Sequence, residues 1–111
     1  MIIDDTIVLD DDDKPIKGGK DDGDWTMQHA CWFVLAKSRV GADGRPAATE
    51  ELTTRGRIAR RIKRGQEIDA TEVAKVRECL GYHGLPADFV YSVSDYLDTL
   101  VVGSKKKKED E

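Results

Sequence analysis

The sequence predicts a small α+β domain, an N-terminal β-hairpin packed on a four-helix, mostly α domain with a disordered charged C-terminal tail. Three observations point there. β-Branched runs at Ile2-Ile3 and Ile7-Val8-Leu9 are broken by the acidic stretch Asp10 to Asp13 and by Pro15. Beyond Asp24 the apolar spacing changes to a helical period. The 111 residues, 39% of them hydrophobic, suit one domain with one modest core.

The first element is the hairpin: a short strand, an acidic turn and a second strand that includes Ile16, closed off by Gly18-Gly19. A hairpin alone is marginal in water, so it must pack on the helices that follow. Asp24 is the expected N-cap of a helix through about Ser38, with Met27, Ala30, Cys31, Val34 and Leu35 on one stripe. Trp32 and Phe33 fall off that stripe, so this helix is apolar most of the way round and must be buried on several sides or meet a partner. A loop at Gly41 to Pro46 leads to a second helix, about Ala48 to Arg64, with Leu52, Ile58, Ala59 and Ile62 inward. Arg55 projects into that apolar side and must snorkel or pair with an acid. Asp69-Ala70-Thr71-Glu72 reads as a capping box that opens a third helix, ended by Gly81 and Gly84. Pro86 is well placed as the first residue of a fourth, with Phe89, Val93, Tyr96, Leu97 and Leu100 as its stripe. The domain is read as residues 1–103, and the almost wholly charged residues 104–111 as disordered.

Charge is segregated along the chain. The formal net charge is −4, yet residues 1–24 carry −6 and residues 52–64 carry +6. In Arg55 to Arg64 six of ten residues are cationic, and Arg57, Arg60, Arg61 and Arg64 share a roughly 100° arc of the second helix. That face suits an acidic protein surface or a nucleic-acid phosphate; a solvated face, or one docked on Asp10 to Asp13 of the same chain, is the plainer reading. No aromatic residue interleaves with the arginines in sequence, which counts against single-strand binding. A helix-turn-helix fits poorly, because the would-be recognition helix opens with Glu72.

The order of these features resembles a group of small proteins encoded by tailed bacteriophages and prophages. The matching segments are Thr6 to Ile16, Asp24 to Leu35, Arg57 to Lys63 and Gln66 to Leu97. The resemblance implies a phage origin, with virion morphogenesis among the roles and the host cytoplasm or the virion as the location.

Other chemistry finds little purchase. Cys31 and Cys79 lie in helical stretches and read as two reduced, partly buried thiols. Cys79-x-x-x-His83 lacks the convergent set that zinc needs, and the aspartate runs lack the calcium-loop pattern. No nucleophile elbow, phosphate loop or dinucleotide fingerprint occurs. The expectation is therefore a non-enzymatic protein with no catalytic residue, cofactor, metal or small-molecule substrate. No membrane span is expected, since the longest apolar run, Ala30 to Ala36, is too short, and the acidic start does not read as a secretion signal.

The expected function is protein–protein contact, by self-association or with a separate partner, in virion or tail assembly or in modulating a host protein. Its residues are Trp32, Phe33, Arg57, Arg60, Arg61 and Arg64, since aromatics and arginines are enriched at the energetic centres of interfaces. Two alternatives use other chemistry: a nucleic-acid-binding regulator acting through the same arginines, and an acidic nucleic-acid mimic presenting Asp10 to Asp13 with Asp21, Asp22 and Asp24.

Overall fold

Four helices, three of them packed around the first, make up the fold: α1 (Met27–Ala36), α2 (Thr49–Lys63), α3 (Ala70–Leu80) and α4 (Ala87–Glu109). The computed structural model describes the backbone of residues 1–109 and the side chains of these residues apart from 20 and 104–109. Of the tail expected to be disordered over 104–111, the backbone of 104–109 instead continues α4, and 110–111 lie outside the described residues.

α1 is the hub. Met27, Ala30, Cys31, Val34 and Leu35 are buried on it, and α2, α3 and α4 all pack against it. Its helix cap is Thr26, whose side chain accepts a hydrogen bond from the His29 amide at 3.1 Å. Asp24, the expected cap, instead forms an ion pair with Lys17. α2 turns Ile58, Ala59 and Ile62 inward, and Gln28 of α1 donates to the Ile62 carbonyl at its end (2.8 Å). Gly65, at φ 68°, closes α2. The Gln66 amide donates to Arg61 O at 2.9 Å and the Gly65 amide to Ile62 O at 3.0 Å, a Schellman pair that only a residue at ease in the left-handed region completes cheaply. The capping box of α3 is present in both directions: Glu72 N donates to Asp69 Oδ1 at 2.8 Å, and Asp69 N to Glu72 Oε1 at 3.0 Å.

The structure overturns the α+β expectation. Among the described residues there is no β-strand, and the fold is all-α. In place of a hairpin the N-terminal segment makes single antiparallel bridges, Leu9 with Pro15, Lys17 with Asp24 and Ile7 with Thr26. The reason lies in the residues between the β-branched runs. The Asp10 carboxylate accepts from the amides of Asp12 (2.9 Å) and Lys14 (3.0 Å), so the chain turns at once. Pro15 has no N–H with which to extend a ladder. Ile3 and Val8 still enter the core, so the apolar pattern reports burial, though not sheet.

Two polar devices hold this segment. The Tyr96 hydroxyl of α4 donates to Asp4 Oδ1 at 2.9 Å and accepts from the Asp4 amide at 3.1 Å. Burial raises the Tyr96 hydroxyl to about 12, while hydrogen bonds, chiefly from the Thr6 hydroxyl, hold the Asp4 carboxyl low. At the other end Met1 and Ile68 exchange hydrogen bonds between Met1 N and Ile68 O (2.9 Å) and between Ile68 N and Met1 O (2.8 Å).

Arg55 is the anomaly of the core. It is only 1% exposed. Its guanidinium donates to Glu51 Oε1 (3.0 Å), to Val40 O (2.8 Å) and to the Ser38 hydroxyl, and lies 5.5 Å from the Tyr82 ring centre. Glu51 also binds Lys75 at 2.8 Å, and Lys75 reaches Glu78 at 3.1 Å. Among the described residues no buried side-chain polar atom lacks a hydrogen bond. That is the condition under which a buried charge can be accommodated.

This network makes stability pH-dependent in a definite sense. The hydrogen bond from Lys75 is the main cause holding the Glu51 carboxyl below its ordinary 4.5. A carboxyl lowered by folding adds stability above its unfolded pKa and loses it as pH falls through the lower folded value. Glu51→Gln is expected to cost about 2 kcal/mol in urea unfolding near neutral pH, because the buried Arg55 loses its counter-charge. The acid limb of its stability curve, below about pH 4.5, is expected to be shallower than that of the wild type. Asp69→Ala is expected to cost about 1 kcal/mol through loss of the cap.

Candidate functional site

α2 is amphipathic, and packing its apolar stripe on α1 fixes which residues face out. At 100° per residue the outward arc runs from Lys63 across Arg60, Arg64 and Arg57 to Arg61. Arg57, Arg60, Arg61 and Arg64 are all exposed. Arg61, at one edge, pairs with Glu72 of α3 at 3.2 Å. Among the described residues neither an ion pair nor a side-chain hydrogen bond is found for Arg57, Arg60 or Arg64. The acidic turn Asp10 to Asp13 is likewise not joined to this face; it is exposed apart from the half-buried Asp10, whose carboxylate caps its own turn.

At the opposite edge α2 meets Trp32. The Lys63 ammonium lies 5.0 Å from the Trp32 ring centre and the Lys37 ammonium 5.7 Å from it, both in the cation–π range. The His29 ring stacks on the same indole at 5.3 Å with an interplanar angle of 26°. Trp32, His29, Gln28, Thr26, Asp24 and Lys63 line an open cleft of about 430 Å³. The only acid among them, Asp24, is engaged by Lys17. The surface is thus a half-buried indole set into a field of cations.

Phe33 does not belong to it. One helical step of 100° turns its ring to the other flank of α1, where it meets Trp25 edge-on at 5.5 Å (75°) and His83 at 5.4 Å. His83 is itself held by a hydrogen bond to the Val34 carbonyl at 2.8 Å. The expected pair of aromatics is therefore split: Trp32 joins the cationic face and Phe33 completes the core margin. The sequence reading missed Lys37 and Lys63 as neighbours of the tryptophan. Lys63 lies within the basic block, but only the packing of α1 on α2 brings it to residue 32.

Metal and thiol chemistry are not concentrated anywhere. Among the described residues no three His, Cys, Asp or Glu side chains group as a metal site. Cys31 and Cys79 are buried free thiols, and burial pushes the Cys31 thiol up to about 12, the opposite of an activated nucleophile. Among the described residues no helix is long and apolar enough to cross a membrane.

In comparisons with known proteins, no family model, no curated protein and no solved structure matches this chain. The viral origin implied by the phage resemblance finds no support there.

The cationic surroundings of Trp32 are open to a direct check. In a Trp25→Phe background, Trp32 is the one remaining tryptophan. Its fluorescence is expected to be quenched more strongly by iodide than by caesium, because the local potential attracts anions. Adding Lys63→Glu and Arg60→Glu should reverse that order, and salt should shrink it.

Proposed function

We propose that this is a non-enzymatic binding protein whose cationic α2 face, with Trp32 at its edge, docks on an acidic protein surface. The observation that carries this reading is the state of Arg57, Arg60 and Arg64. They are exposed, adjacent and without an ion pair among the described residues, in a chain whose net charge is −4. An acidic chain has carboxylates to spare, and the fold directs them elsewhere. Mutual repulsion of the three guanidinium groups is relieved when an anionic partner arrives. Trp32 supplies the apolar, low-entropy contact typical of interface centres.

A second reading, a nucleic-acid-binding regulator, is favoured by one specific observation. Trp32 sits in space beside Lys37 and Lys63, so an aromatic does accompany the cations even though the sequence keeps them apart. Against it, the indole is already covered by His29 and flanked by two ammonium groups, which a stacking base would have to displace.

The two readings separate by direct binding. A fluorescein-labelled poly-glutamate peptide and a labelled single-stranded DNA oligonucleotide are titrated with the protein at about 50 mM salt, where surface charges are weakly screened. The proposal predicts binding of the peptide, at least about tenfold weaker once Arg57, Arg60 and Arg64 are changed to Gln, and about fivefold weaker in Trp32→Ala. It also predicts purified protein free of nucleic acid. Tight DNA binding with no measurable peptide binding would contradict it and establish the regulator.

A further inference from the structure

The outer face of α4 carries aspartates where that of α2 carries arginines. Phe89, Val93, Leu97 and Leu100 define its inward stripe. On the side opposite, Asp88, Tyr91, Asp95, Asp98 and Val102 follow one another at alternating steps of three and four residues. Such spacing lays side chains in one line along a helix. Tyr91 is 70% exposed and Val102 53%, the two most exposed large apolar side chains among the described residues. Asp95 and Asp98 are exposed; Asp98 pairs with Arg77, and no ion pair is found for Asp95 among the described residues.

These two stripes cannot satisfy each other within one molecule. α2 and α4 both pack on α1 and have at most marginal contact with each other. Each stripe points away from its own core. The arginine stripe (57, 60 and 61, 64) and the stripe of Asp88, Asp95 and Asp98, with Tyr91 between the first two, both follow the three- and four-residue helical step, so a pair of helices laid side by side can set guanidinium against carboxylate.

We propose that the acidic partner of the α2 face is α4 of a second copy of this chain, with Tyr91 and Val102 as the apolar part of the contact. This rests on the α2 face being a protein-docking surface, as proposed above. Because donor and acceptor stripes are different surfaces of one molecule, the contact is heterologous and each copy keeps one stripe free for the next. One helix pair makes a small interface, so the association is weak, reversible and salt-sensitive.

The test is sedimentation velocity on three proteins. The first is the wild type, the second carries Arg57→Gln, Arg60→Gln and Arg64→Gln, and the third carries Asp95→Asn and Asp98→Asn. All substituted residues are exposed. At about 50 mM salt and protein on the order of 100 μM, the wild type is expected to show a mean mass that rises with concentration, with association at least about tenfold weaker at 0.5 M salt. Each variant alone is expected to be monomeric. An equimolar mixture of the two is expected to form a one-to-one dimer and nothing larger, since it holds one intact stripe of each kind.

A monomeric wild type, or a mixture that stays monomeric, would overturn the proposal. So would association abolished by neutralising Asp11, Asp12 and Asp13 but not by Asp95→Asn and Asp98→Asn, which would place the acidic turn in the contact. If poly-glutamate still binds the wild type in those cases, only the choice of partner has failed. If poly-glutamate does not bind either, the docking reading itself has failed.

Discussion

The packing of α2 on α1 is the constraint from which the rest of this structure follows. α1 is apolar around most of its circumference, so it has to be covered, and three helices and the N-terminal segment cover it. Covering it fixes the rotation of α2 about its own axis. Once Ile58, Ala59 and Ile62 are inward, Arg57, Arg60 and Arg64 have nowhere to go but outward. The outward direction of the cationic side chains is thus a consequence of core packing. Gln28, holding the carbonyl end of α2, locks the same registration from the polar side.

Within the basic block the fold assigns two roles. Arg55 is taken into the interior and surrounded by Glu51, Ser38, the Val40 carbonyl and the Tyr82 ring. A guanidinium suits this place better than an ammonium, because its fork of donors can bind three acceptors in fixed directions. Lys75 reinforces the arrangement by sharing Glu51, so the loop before α2, α2 itself and α3 are tied by one network. The remaining arginines stay in water. Charge density along the sequence is uniform across Arg55 to Arg64, but its physical meaning changes from one residue to the next with the side of the helix it falls on.

Much of this was legible in the residues and some was not, for reasons that can be named. Local signals were sound where the deciding interactions are local: the Asp69–Glu72 capping box, the bounds of α2 and the inward stripe of α4 all follow from neighbours three or four positions apart. The hairpin failed because β-branched residues report burial as well as sheet, and the turn chemistry of Asp10 and Pro15 allowed only single bridges. Asp24 does not cap α1 because the helix starts at Met27, which makes Thr26 the N-cap and leaves Asp24 two residues before it, where it pairs with Lys17. Phe33 and Trp32 were grouped because both fall off the main apolar stripe of α1, but they leave it on opposite flanks, and only the neighbours packed there, Trp25 and His83 on one side and Lys63 on the other, tell the two apart. The lysines that flank Trp32 became visible only through tertiary packing, as did the acidic stripe of α4 as a counterpart to α2.

The account stands on the claim that the exposed arginines serve no purpose in holding this monomer together, while Arg55 does. Urea unfolding of a variant carrying Arg57→Ala, Arg60→Ala and Arg64→Ala tests it most directly, measured at a protein concentration low enough to keep the chain monomeric. The account predicts a change within about 1 kcal/mol of the wild type, since alanine favours the helix and only a modest helix-end interaction is lost. A loss of about 3 kcal/mol or more, comparable to breaking a buried ion pair, would show that this face is structural and would contradict the binding role.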